Sequence, residues 1–71
     1  MLAADRLRRG IRKAIKITGV SSRQASMKAG FNENQINRFL SGSQGINVNT
    51  MEAIAMQGFK MTFEEIWMLG K

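Results

Sequence analysis

The chain is 71 residues long, with eleven Lys/Arg against five Asp/Glu for a net charge of +6, and it lacks Cys, His, Tyr and Pro. That length suits one small domain (1–71) with a modest core, and the missing residue types exclude a disulfide staple and a histidine-bearing zinc site. No metal or cofactor is expected, and no stretch approaches the roughly 18 apolar residues of a membrane span.

The charge is unevenly distributed. Residues 1–28 hold Arg6, Arg8, Arg9, Arg12, Lys13, Lys16, Arg23 and Lys28 against Asp5 alone, whereas residues 29–71 are close to neutral. A basic end on a small domain points to a polyanion, most often nucleic acid and sometimes a membrane surface. The start, MLAADRLRRGIRKAIKI, lacks the long apolar core and the cleavage site of a secretory signal. A cysteine-free chain also suits a reducing cytoplasm, the expected location.

Residues 4–17 predict a first helix: Leu7, Ile11, Ala14 and Ile15 fall on one face, with Arg9, Arg12 and Lys16 opposite. Gly19 ends it. Four stretches then carry a capping-box signature: Ser21–Gln24, Asn32–Gln35, Asn49–Glu52 and Thr62–Glu65. They place helix two over 22–29 before Gly30, and helix three over 33–40 before Gly42. Helix four covers 50–57 before Gly58, and helix five covers 63–69. In the SGSQGINVN loop, Ile46 and Val48 alternate with polar residues and are expected to pin the loop to the core. Strand-type alternation persists nowhere else, so the expected class is all-α with five short helices.

Helices two and three are separated only by Gly30, Phe31 and Asn32, a linker short enough to force a steep crossing of the helix-turn-helix kind. Gly30 can take the left-handed conformation that leaving a helix demands, and Phe31 can plug the corner. Ser26 is small where helix two must approach its neighbour. Ile36, Phe39 and Leu40 form the inward stripe of helix three, which leaves Asn34 and Arg38 outward, Asn37 and Ser41 beside them and Glu33 on the N-terminal flank. In the major groove an asparagine amide can pair with adenine, an arginine with guanine, and a glutamate with the cytosine amine. Asn32 and Gln35 are absorbed by the capping box. Asn34 and Asn37 have no cap role and are poor interior helix formers, which points to readout.

The run SSRQASMKAGFNENQINRFLSG resembles the Cro/repressor-type (XRE-like) helix-turn-helix, and is most similar to the DNA-binding domains of self-cleaving phage repressors. Ser26, Ala29, Gly30, Phe31, Leu40 and Gly42 match that pattern, while Thr50, Ile54, Ala55 and Gly58 match the family's later helices. The likeness spans about residues 6–69. It implies a compact five-helix, lambda-repressor-like domain that binds double-stranded DNA as a phage or prophage transcription regulator, typically a repressor in a bacterial cytoplasm. It also implies a homodimer on a pseudo-palindromic operator with half-sites ~34 Å apart. The chain is then either a binding domain from a longer regulator or a short regulator complete in itself. Where the family often has Gln reaching a phosphate and a recognition-helix residue, this sequence has Ser22, followed by Arg23.

On this reading Glu33, Asn34, Asn37 and Arg38 face bases. Ser22, Arg23, Ser41 and Ser43 face phosphates, and of the first-helix bases Arg9, Arg12, Lys13 and Lys16, Arg12 and Lys16 are taken as phosphate contacts. Met51, Met56, Met61, Met68, Phe59, Phe63 and Trp67 make the C-terminal part rich in soft apolar residues, more than so small a core needs. Phe63, Trp67 and Met68 are therefore expected at a dimer contact. Enzyme chemistry is not expected: the serines have no histidine base and there is no phosphate-binding glycine loop. A protein-interaction module on the same fold, such as an antitoxin-like or adaptor subunit, is the alternative.

Overall fold

The computed structural model describes residues 3–71. The described residues form five helices and no strand: α1 (Ala3–Thr18), α2 (Ser22–Lys28), α3 (Gln35–Leu40), α4 (Val48–Ala53) and α5 (Phe63–Leu69). A π-helical turn, Ile54–Gly58, prolongs α4. The all-α expectation therefore holds.

One apolar cluster joins all five helices. Ile11 and Ala14 of α1, Ala25 of α2, Ile36 and Phe39 of α3, Met51 of α4 and Ile66 of α5 are buried in it, together with Ile54, Ala55 and Phe59. Along α1 the spacing does what its periodicity predicts: Ile11 and Ala14 are buried, while Leu7 and Ile15 pack partly against the cluster.

Two of the four predicted capping boxes form. Ser21 accepts from the Gln24 amide and Thr62 from the Glu65 amide, and each Gln or Glu side chain accepts in return from the cap's own N–H. The other two do not. Asn47 caps α4 by accepting from Thr50 N at 2.8 Å, so α4 starts two residues before the expected place. Val48 becomes its first residue, 61% exposed, while Ile46 alone packs on the core. The loop reading was thus right for Ile46 and wrong for Val48.

Asn32 accepts from Asn34 N at 2.9 Å, which tightens the turn instead of opening a helix, so α3 starts at Gln35 rather than Glu33. The amide that needs an acceptor finds one in another helix: Ile36 N donates to the Ser26 hydroxyl at 3.2 Å. That hydroxyl is fully buried and donates in turn to the Ser22 carbonyl at 2.8 Å. At the end of α2, Gly30 has φ +83°. Gly30 N bonds the Met27 carbonyl and Phe31 N the Ser26 carbonyl, a Schellman closure that turns the chain toward α3.

Gly58 acts differently from the simple stop expected of it. A Cβ there would lie 2.8 Å from the Ala25 carbonyl oxygen, so the glycine lets the π turn rest on the α2 backbone. Gly10 serves α1 in the same way, because a Cβ would overlap the Ile66 carbonyl of α5.

Candidate nucleic-acid interface

The outward side of α2, the 29–34 turn and α3 gathers most of the residues selected from the sequence. Glu33 and Asn34 lie in the turn before α3, not inside it, and Asn34 occupies the N-cap position without a side-chain cap bond. Its amide is exposed. Arg38 is exposed in the last turn, and neither side chain has an intramolecular partner among the described residues. Asn37 is exposed too, but its Oδ1 accepts from the Ser22 hydroxyl at 2.6 Å. Glu33 pairs with Arg23 at 3.1 Å, both side chains being largely solvated. A residue expected on a phosphate and one expected on a base thus meet each other in the free molecule.

Only six residues long, α3 relies on bonds from outside itself. Arg8 Nε donates to the Phe39 carbonyl at 2.7 Å and Arg12 Nη2 to the Leu40 carbonyl at 3.1 Å. The Arg8 guanidinium also lies over the Phe39 ring, 4.7 Å from its centroid, and its Nη1 bonds Asp5. The Arg38 carbonyl accepts from the hydroxyls of Ser41 and Ser43, at 3.0 and 3.1 Å. Cations and donors at a helix C-terminus satisfy its last carbonyls and suit its negative dipole end. Together with the Ser26 bond at the first turn, they hold both ends of α3 while Arg38 on its outer face stays without a partner.

Those bonds change the standing of the expected phosphate contacts. The hydroxyl protons of Ser22, Ser41 and Ser43 are used inside the molecule, and a phosphate needs donors. Arg12 is engaged at α3, and Arg9 donates to the Gly70 carbonyl from Nε and Nη2, at 3.0 and 2.7 Å. Arg9 therefore does not lie on the open face of α1, because the C-terminus of α5 abuts that side. Lys16, exposed and without a partner among the described residues, lies one turn beyond Arg12 on the same side of α1. Lys13 is likewise exposed and unpaired.

Sequence reasoning missed Arg8 and Arg6. Arg6 Nε donates to the Trp67 carbonyl at 2.9 Å, and its guanidinium stacks 4.0 Å from the Trp67 ring centroid. The spacing Arg8–Arg12 and Arg6–Arg9 marks two stripes on α1, but only the positions of α3 and α5 show what each stripe touches.

The expected dimer residues fall in two places. Phe63 and Trp67 line an apolar groove with Ala3, Leu7 and Val48, and Glu64 stands at its edge. Met68, 56% exposed, lines a separate shallow hollow with Met61 and Leu69. Among the described residues no acidic, Cys or His cluster could hold a metal, and no helix is long and apolar enough to cross a membrane.

Comparison with known proteins adds no relative. No family model, curated protein or solved structure matches the chain.

Proposed function

We propose that this chain binds double-stranded DNA sequence-specifically, as a phage-repressor-type transcription regulator, with α2, the turn and α3 forming the helix-turn-helix. The observation that carries the reading is the contrast at α3 and its N-cap residue, Asn34. Its two ends are held by Ser26, Arg8, Arg12, Ser41 and Ser43, whereas the amide of Asn34 and the guanidinium of Arg38 point out with no partner. Rigidly mounted, unpaired donors and acceptors on a short helix are what base edges in the major groove require. Lys16 supplies phosphate charge beside α3, and Arg23 joins it when it exchanges Glu33 for a phosphate.

A mobility-shift assay with upstream DNA of the protein's own locus, followed by selection from random duplexes, tests this directly. Asn34→Ala is expected to cost about 1–3 kcal/mol on the selected site and to relax its sequence preference. Arg23→Ala should weaken every duplex alike and flatten the salt dependence. Equal losses on selected and random DNA in both variants would remove the base-reading assignment. Failure to retain any duplex at low salt would remove DNA binding altogether.

The groove of Leu7, Val48, Phe63 and Trp67 favours one further part of the reading, a second copy of the chain seated there to form the operator-binding dimer. It equally suits the second function class, an antitoxin-like or adaptor subunit whose partner covers that groove. A stable complex with a neighbouring gene product, formed without any DNA binding, would select that class.

A further inference from the structure

We infer that the strip of Met56, Met61 and Met68 bordered by Glu52, Glu64 and Glu65 is a docking site for a cationic amphipathic helix of another protein. The inference does not depend on DNA binding. Two shallow hollows build the strip. Met61 and Met68 line one with Glu65, and Met56 lines the other with Glu52. Thr62 and Glu64 line both, so the two hollows run into each other. Met56 and Met68 are 59% and 56% exposed, which leaves two thioether side chains in water outside the core. Flexible, polarisable methionines adapt to an apolar partner without demanding one shape.

The charge around the strip says what covers it. The chain carries +6, yet no Lys or Arg lines either hollow. Of the five acids, Asp5 and Glu33 each pair with an arginine. Glu52, Glu64 and Glu65 pair with no cation among the described residues. Local roles account for two of them, since Glu65 closes the α5 capping box and Glu64 suits the positive end of that helix. Glu52 stands on α4, has neither role, and lines the second hollow with Glu64. Arg6 reaches the rim, its Nη2 3.8 Å from Met68 Sδ, but its guanidinium is taken up by the ring and carbonyl of Trp67.

Uncompensated negative charge beside exposed apolar groups repels nucleic acid and an anionic membrane, and it suits a polypeptide whose apolar side chains are flanked by Lys or Arg. A second copy joined through the same strip would set glutamate against glutamate, since a twofold contact uses one patch on both sides. The basic amphipathic helix that the chain itself owns, α1, has its apolar stripe in the core and four arginines on the carbonyls of Phe39, Leu40, Trp67 and Gly70. No strand among the described residues offers an edge to an extended segment. The occupant is therefore a helix from a different protein, its apolar stripe on the methionines and its cations toward the glutamates.

Methionine methyl NMR signals test this, with a synthetic Leu/Lys amphipathic helix as the probe. On titration the ε-methyls of Met56, Met61 and Met68 should shift. Those of Met51, buried in the core, and Met27, exposed on α2, should not. A Leu/Glu helix with the same apolar pattern should bind at least about tenfold more weakly, and so should spermidine, which has charge without an apolar stripe. Glu52→Gln combined with Glu64→Gln should weaken the Leu/Lys helix about fivefold, as two exposed ion pairs would. Met56→Gln combined with Met68→Gln should weaken it about tenfold and leave the melting midpoint unchanged, because both side chains lie outside the core.

No methyl shift, an equal shift of Met27, equal binding of the Leu/Glu helix or of spermidine, or full affinity in either double variant would overturn the assignment. So would shifts of Met56 and Met68 that appear on concentrating the chain alone, which would give the strip to a second copy. None of these outcomes bears on the duplex experiments above.

Discussion

Ser26 shows how much one small side chain can settle. Its buried oxygen accepts from Ile36 N and donates to the Ser22 carbonyl, so one hydroxyl closes the start of α3 and ties it to α2. The sequence reading chose Ser26 for its size, as a residue that lets helices approach. Its hydrogen bond was not legible there, because the donor, Ile36 N, lies ten positions away and local capping rules search only three or four. Ser26→Ala keeps the packing and leaves the Ile36 amide buried without a partner. It should cost about 1–3 kcal/mol, read as a lower midpoint in thermal melting. An unchanged midpoint would mean that the bond is replaced by water.

At the scale of elements, α1 acts as a strut with two guanidinium edges. Arg8 and Arg12 close the C-terminus of α3, while Arg6 and Arg9 close that of α5. Half of the basic N-terminal segment is thus spent on folding, although composition marks all of it equally as a polyanion surface. Packing of α1 on α5 is close enough to exclude any side chain at Gly10, because a Cβ there would overlap the Ile66 carbonyl and lie 3.0 Å from Ile66 Cγ2. Alanine is the better helix former by about 1 kcal/mol, yet overpacking against backbone costs typically 1–3 kcal/mol, so the clash wins. Gly10→Ala should lower the melting midpoint, whereas Gly45→Ala, with open space at its Cβ, should not. Equal midpoints for the two would show that α5 moves aside freely.

Across the whole molecule, the described Cα atoms have a radius of gyration of 10.4 Å, slightly below the ~11 Å usual for a chain of this length. The glycine contacts account for part of that density, since they bring α1 onto α5 and the π turn onto α2 without side chains between them. Among the described residues, one apolar place that the fold leaves uncovered is the groove where Val48 stands 61% exposed beside Phe63 and Trp67. If a second copy covers it, Val48→Glu should shift sedimentation of the chain from dimer toward monomer and weaken binding to a two-half-site operator. Its melting midpoint should stay near that of the wild-type monomer, because Val48 contributes little to the core. A wild-type chain that sediments as a monomer, both at high concentration and on operator DNA, would exclude the dimer.

By itself the sequence determined the five helices, the left-handed exit at Gly30, most of the core and the boxes at Ser21 and Thr62. Each depends on residues within four positions of one another or on a periodicity that a window can read. Tertiary structure decided what the polar residues do. Asn32 tightens a turn because Ser26 already serves α3. Four arginines bond carbonyls because two helix ends lie beside α1, and the Asn37 amide accepts from a serine on another helix. A polar side chain bonds whichever complementary group comes within about 3 Å, and which group that is depends on the fold.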